Sequence, residues 1–245
     1  MAPQTLLLIG ATSDIGRAIA LRFAAAGWRL QFAARDLDEA ARTADDVAAR
    51  TGAAATLHRL DILEDDAFPA FLDGLPALPD AAVCVVGLLG DQARGEIDPA
   101  HARLVLRSNF EGPALLLGAI ATRFSARGTG AIIGVSSVAG ERGRGSNYLY
   151  GAAKAGFTAF LSGLRNRLAP RGIRVITVKP GFVRTRMTAH LKLPPLLTAT
   201  PDDVAKAVAA AMAGRRDVVY ARPVWRLVMT LVRLLPEPLF KRLKL

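Results

Sequence analysis

The stretch Thr5-Leu-Leu-Leu-Ile-Gly10-Ala-Thr-Ser-Asp-Ile-Gly16 reads as a buried strand that breaks at a glycine and restarts as a helix. A continuous apolar run suits a strand covered on both faces. The amphipathic pattern from Ile15 to Ala26 suits a helix that covers it. Glycines at positions 10 and 16 permit the tight turn and the close helix–strand approach that a bound pyrophosphate needs, with helix N–H groups and the positive dipole end aimed at it. The middle position, usually a third glycine, holds Asp14, read as a helix N-cap in preference to a phosphate contact.

Outward from this turn the same alternation repeats. Strands are predicted over residues 5–9, 28–34, 55–60, 81–86, 130–135, 173–178 and 218–221, and helices over 15–26, 37–50, 64–72, 99–124, 148–168 and 201–213. Strand–helix alternation predicts an α/β fold, a doubly wound parallel sheet with helices on both faces. Residues 1–221 are expected to form one domain and residues 222–245 a basic amphipathic C-terminal appendage.

Composition narrows the class. At 51% hydrophobic residues the 245-residue chain has ample core, which excludes disorder. Its one cysteine, Cys84, excludes an intramolecular disulfide and suits a reducing compartment. No signal-peptide pattern precedes the first strand and no apolar run reaches about 18 residues, so a cytoplasmic protein is expected. The net charge is +11, and eight basic residues against two acids fall between Gly214 and Leu245. Those cations interleave with aliphatic residues and not with stacking aromatics, which argues against specific nucleic-acid binding and leaves the surface of the inner membrane as a partner.

The second strand ends Phe32-Ala-Ala34-Arg35-Asp36. An acid closing this strand would bond a ribose 2′-OH; here Arg35 follows Ala34, and its guanidinium suits a 2′-phosphate. NADPH is therefore the expected cofactor, with NADH possible if Asp36 takes the ribose instead. Asp61, closing the third strand, suits an adenine edge or a helix N-cap.

Tyr150 and Lys154 stand four apart in a helical pattern and share one face. A phenol titrates near pH 10, and lowering it by about three units takes about 4 kcal/mol, which a neighbouring ammonium and a nicotinamide cation can supply. Ser137, at the end of the fifth strand, can donate to a substrate carbonyl. Tyr148 has no lysine four residues on.

Gly10…Gly16, Asp61, Asn109, Ser137, Tyr150-Gly-Ala-Ala-Lys154 and Lys179-Pro-Gly-Phe-Val-Arg-Thr185 together resemble the short-chain dehydrogenase/reductase family over essentially the whole chain. The resemblance implies a Rossmann fold, a homo-oligomer, and catalysis by Asn109, Ser137, Tyr150 and Lys154. Tyr150 would be the general acid/base, Ser137 the carbonyl orienter and Asn109 the holder of a relay water, with Lys154 also on the nicotinamide ribose. It further implies cofactor contacts from Gly10, Thr12, Ser13, Asp14, Ile15 and Gly16; from Arg35, Asp61, Ile62 and Gly87; and from Tyr150, Lys154, Pro180, Gly181, Val183 and Thr185. Cys84-Val-Val-Gly87 departs from the family's Asn-Asn-Ala-Gly, and Asp14 departs from its glycine.

Four further stretches resemble the branch that reduces a keto group on a polyprenyl-phosphate-linked sugar, of the 2-keto-ribose to arabinose type, following a flavin oxidase. These are Gly87-Leu-Leu-Gly-Asp91, Ala139-Gly-Glu-Arg-Gly-Arg-Gly-Ser-Asn147, Met187-Thr-Ala-His-Leu-Lys192, and Trp225-Arg-Leu-Val-Met229 with Leu239-Phe-Lys-Arg-Leu243. A lipid-linked sugar ketone is the substrate this implies and the flavin oxidase a partner. A reductase of 3-oxoacyl or other soluble ketones, and a non-catalytic dinucleotide-binding scaffold, are the competing readings.

In the tail, Trp225, Val228, Met229 and Val232 form one helical stripe, suited to a membrane interface, to a pocket cover or to a subunit contact. Residues 187–199 read as a lid on which His190 and Lys192 either meet phosphate or stay solvated. Glu141, Arg142 and Arg144 either bind sugar hydroxyls or phosphate, or pair with one another. His58 and His101 lack ligand spacing, and no metal is assigned.

Overall fold

The computed structural model describes residues 3–243; Lys244 and Leu245, the last of the basic tail, lie outside the described residues. Seven parallel strands run in the order β3-β2-β1-β4-β5-β6-β9: β1 (Thr5–Ile9), β2 (Arg29–Ala34), β3 (Ala55–Arg59), β4 (Ala81–Cys84), β5 (Ala131–Val135), β6 (Arg174–Lys179) and β9 (Val218–Tyr220). This is the doubly wound order, with its switch point between β1 and β4, where strand ends part to leave a crevice.

Alternation along β1 divides the core. Leu6 and Leu8 face α1 (Asp14–Ala25), α2 (Leu37–Thr51) and α8 (Pro201–Ala213) through Ile19, Phe23, Val47 and Val204. Leu7 and Ile9 face α3 (Phe68–Asp73), α6 (Gly112–Arg127) and α7 (Tyr148–Leu168) through Phe68, Leu116, Phe124 and Phe157. All of β1 is therefore buried, as its unbroken apolar run requires.

The helices differ from expectation where local polar chemistry intervenes. The span 99–124 is not one helix: α5 (Pro99–Leu106) passes through a π turn at Arg107–Glu111 before α6, and Asn109 lies within that turn. A short α4 (Gln92–Ile97) was not foreseen; Asp91 caps it by accepting from the Arg94 N–H at 3.0 Å. Residues 64–72 form one 3₁₀ turn and α3 in place of a single helix. Asp14 does not cap α1. Ser13 does, accepting from the Gly16 N–H at 3.0 Å, while Asp14 begins the helix proper. Asp36 caps α2 through the Glu39 N–H at 2.9 Å, which engages the carboxylate otherwise available to a ribose. Asp61 closes a local turn on the Leu63 N–H at 2.9 Å and caps no helix.

Beyond the sheet, β7 (Phe182–Val183) pairs with β8 (Thr198–Ala199), so the intervening lid segment is tied at its base. The tail folds as α9 (Val224–Leu234) and a short α10 (Glu237–Phe240). Among the described residues no helix is long and apolar enough to cross a membrane.

Candidate active site

At the carboxyl ends of β1, β2 and β4 a cleft of about 640 Å³ is lined by Gly10, Thr12, Ser13, Asp14, Ile15, Arg35, Asp61, Ile62, Gly87 and Thr185. Gly10 takes φ +90°, a left-handed conformation favouring glycine, and a Cβ on Gly16 would stand 2.5 Å from the Gly10 carbonyl oxygen. The turn thus has the tightness expected of it, and the N-terminus of α1 opens on the cleft. Arg35 is exposed on this rim directly after β2. These features fit a nicotinamide dinucleotide: a glycine cradle and helix N-terminus for the pyrophosphate, Asp61 and Ile62 along the adenine side, and Gly87 and Thr185 toward the other end.

A second cavity of about 150 Å³ adjoins it, lined by Ser137, Tyr150, Lys154, Pro180, Gly181 and Val183, with Ile15, Gly87 and Thr185 common to both. Strand β5 delivers Ser137 and the first turns of α7 deliver Tyr150 and Lys154. Ser137 Oγ accepts from the Ala139 N–H at 3.1 Å, which leaves its hydroxyl proton for another partner. The adjacent Ser136 is structural, its Oγ lying 2.6 Å from Thr158 Oγ1 and 3.0 Å from the Lys154 carbonyl.

Lys154 is buried, and its Nζ donates to the carbonyls of Val86 (3.3 Å) and Val135 (3.2 Å). One ammonium proton remains. Because Val86 contributes only a backbone oxygen, the replacement of the family's asparagines by Cys84-Val-Val leaves this contact intact. Burial pulls the lysine down to about 8. Burial also pushes the Tyr150 phenol up, against the Ser137 hydroxyl, which acts to lower it. Nζ lies 5.8 Å from the Tyr150 ring centroid, and of the groups around the phenol in the chain itself burial has the largest effect. The phenol is accordingly held in its protonated, proton-donating form.

Asn109 is fully buried and lines neither cavity. Its amide donates to the carbonyls of Leu88 (2.7 Å) and Val105 (2.8 Å), and its Oδ1 accepts from the Leu88 N–H at 3.1 Å. The two amide protons tie the 87–88 loop to the last turn of α5. Gly16 likewise lies beneath the turn and lines no cavity.

The sequence reading missed one feature. Arg186, from the segment after Thr185, lines the larger cleft and spans it. Its N–H donates to Asp14 Oδ2 at 2.6 Å, its Nη1 to Glu39 Oε1 at 2.7 Å, and its Nη2 to the Thr12 carbonyl. Arg186 directly precedes the lid, and its partners are 147 and 172 positions away, beyond the reach of local pattern. Trp225 of α9, on the stripe read as suited to a membrane interface, a pocket cover or a subunit contact, lines the smaller cavity. Its indole packs on Gly181, where any Cβ would overlap it, pairs edge-on with Phe182 at 5.3 Å and donates from Nε1 to the Leu197 carbonyl at 2.9 Å.

Trp225 and Met229 are buried against Val138, with Phe182, Leu197 and Tyr220 around them, so the inner stripe of α9 covers the pocket. The loop after Ser137 holds this cover. Arg142 Nη1 donates to the carbonyls of Val232 and Leu235, each at 2.6 Å, capping α9, and its guanidinium lies 3.7 Å over the Phe240 ring. Glu141, almost fully buried, accepts from the Tyr220 hydroxyl at 2.7 Å and meets Lys179 at 3.2 Å and Arg233 at 3.6 Å. Glu141 and Arg142 thus anchor the tail, and they do not pair with each other. His190 and Lys192 are exposed. His101 Nε2 accepts from the Asp91 N–H, and His58 Nε2 lies 2.9 Å from Thr56 Oγ1.

The model of the short chain dehydrogenase family matches residues 4–194, and the chain belongs to that family, whose members are NAD(P)-dependent oxidoreductases. It is 37% identical over 243 residues to an uncharacterized oxidoreductase of Mycobacterium tuberculosis, covering 97% of this chain and 96% of the other. A sulfoacetaldehyde reductase of Chromohalobacter salexigens is 32% identical over 188 residues, covering 75% and 74% of the two chains. Among solved structures, a short-chain dehydrogenase/reductase of Mycobacterium marinum superimposes with a TM-score of 0.81 at 26% identity, over 89% of this chain and 92% of that one. A short-chain dehydrogenase of Sphingobium yanoikuyae in complex with NADPH shares the fold, with a TM-score of 0.81 at 24% identity over 96% and 97%.

Proposed function

We propose that the protein is an NADPH-dependent ketone reductase whose substrate is a keto sugar on a polyprenyl phosphate, of the decaprenylphosphoryl-2-keto-ribose reductase type. The observation that carries the reductase reading is the meeting of Ser137, Tyr150 and Lys154 in one cavity that opens on the glycine-turn cleft. When bound, the reduced nicotinamide supplies a hydride to the ketone carbon. The free Ser137 hydroxyl proton orients the carbonyl and stabilises the oxygen as charge develops. Tyr150, held protonated by its burial, donates its proton to that oxygen. Lys154 keeps its ammonium between two carbonyls and presents its remaining proton to the site.

Support for the lipid-linked substrate comes from the surroundings. Met187 and Leu191 of the lid line the cavity, and Leu196, further along the same segment, is 84% exposed. On α9 a second apolar stripe, Val224, Leu227, Leu231 and Leu234, faces solvent. With Arg226 alongside, it suits a lipid surface presenting a polyprenyl chain.

The test is NADPH oxidation with polyprenyl-phosphate keto sugars and with soluble ketones. Turnover of the lipid-linked ketones is expected. Tyr150→Phe should keep dinucleotide binding and lose about 10²- to 10⁴-fold in kcat. Equal turnover of soluble 3-oxoacyl substrates, independent of lipid, would overturn the substrate assignment, and retained activity in Tyr150→Phe would overturn the acid assignment.

A further inference from the structure

We propose that Arg144 and Asn147 form an oxyanion subsite in the substrate cavity, which binds a phosphoryl group of the substrate. Both side chains line the cavity that holds Ser137 and Tyr150, so the subsite rests on the reductase reading for its place in catalysis, although not for its ability to bind. Arg144 Nε and Asn147 Oδ1 are buried and, among the described residues, have no hydrogen-bond partner. A buried polar atom without a partner costs about 1–3 kcal/mol, and more when it belongs to a charged group. Folding leaves that cost standing at two neighbouring positions in one cavity.

The contrast with nearby cations is informative. Arg142 is engaged by α9 and Glu237, and Arg222 donates to the Thr198 carbonyl at 2.7 Å. Glu141, the buried carboxylate of the same loop, meets Lys179 and Tyr220 through Oε1, and its Oε2, which has no hydrogen-bond partner, lies 3.6 Å from Arg233. Arg144 Nε is therefore left without an acceptor, and the partial burial of the guanidinium pulls it below its ordinary value.

At the start of the 21-residue α7, Asn147 stands at the N-cap without capping through its side chain, and the Leu149 N–H is taken by Gln92 Oε1 at 3.1 Å. The donors left to a ligand are therefore side chains. A forked cation and a carboxamide that can turn its NH₂ inward make a donor set that suits an oxyanion with several terminal oxygens.

The test uses Trp225, which lines the same cavity, as reporter. In a Trp28→Phe background with NADP⁺ bound, so that the dinucleotide's own phosphate sites are filled, inorganic phosphate and dimethyl phosphate are titrated against tryptophan fluorescence. A saturable response is expected, weakened tenfold or more in Arg144→Met and in Asn147→Ala and partly restored in Arg144→Lys. A response to dimethyl phosphate identifies the diester of a lipid-linked substrate, and a response to inorganic phosphate alone identifies a free monoester. No saturable response, or one unchanged in both variants, overturns the subsite. The melting temperature of Arg144→Met should equal or exceed that of the wild type, since a half-buried cation with an unpartnered Nε is removed; a purely structural arginine would lower it.

In a kinetic arm, the ratio of kcat/KM for ribulose 5-phosphate to that for ribulose should fall ten- to a hundredfold in Arg144→Met. Ketone turnover with an unchanged ratio overturns the subsite alone. Phosphate binding without any ketone turnover overturns the reductase reading alone.

Discussion

Trp225→Ala removes the indole that roofs the smaller cavity, and its cost can be worked from the contacts. The side chain is 4% exposed, overlies Gly181, pairs with Phe182 at 5.3 Å and donates to the Leu197 carbonyl at 2.9 Å. Truncating a buried tryptophan costs about 3–5 kcal/mol, and the lower end applies because the ring borders a cavity on one side. A domain of this size loses about 2–4 °C per kcal/mol, so a fall of roughly 6–12 °C in Tm is expected by circular dichroism. The KM for the ketone should rise about tenfold, the equivalent of 1.4 kcal/mol of lost contact. Trp225→Phe, which keeps the ring pair and loses the N–H, should fall between wild type and alanine. A Tm within about 2 °C of wild type together with an unchanged KM would refute the reasoning and return α9 to the status of a surface appendage.

Other outcomes follow from single groups. Lys154 titrates at about 8, so kcat/KM for the dinucleotide should fall above that pH as the ammonium is lost, and Lys154→Arg should remove this alkaline limb. Stability should move the opposite way. A lysine lowered in the folded state binds fewer protons there than in the unfolded chain, so stability rises from about pH 8 towards the ordinary lysine value, as urea titrations across that range can check. Arg35→Ala should lower the preference for NADPH over NADH about tenfold or more in paired Kd measurements; an unchanged preference removes Arg35 from cofactor selection. Leu227→Asp with Leu231→Asp, both exposed, should reduce sedimentation with anionic liposomes and leave Tm near wild type; undiminished sedimentation removes the lipid-facing role.

How much the chain discloses unaided depends on the range of the forces involved. Strand β1 and its turn were legible because burial on both faces demands an unbroken apolar run and the turn demands glycine. Tyr150 and Lys154 were legible because helical spacing alone puts them on one face. Asp14 was misread because two adjacent polar residues, Ser13 and Asp14, satisfy the same local capping pattern, and the choice between them depends on Arg186, 172 positions away. The π turn at Asn109 coincides with that side chain's bonds to Leu88 and Val105, which no periodicity records. The ambiguity of the tail had a physical origin: α9 carries two apolar stripes, and periodicity does not say which one meets protein.

The clamp that Glu141 and Arg142 place on α9 has a consequence for shortened chains. All seven strands, the residues of the larger cleft and Ser137, Tyr150 and Lys154 precede Val224, whereas Trp225 and Met229 follow it. A chain ending before Val224 would keep every strand and lose one wall of the smaller cavity, and it would strip Arg142 of the carbonyls of Val232 and Leu235 that now accept from it.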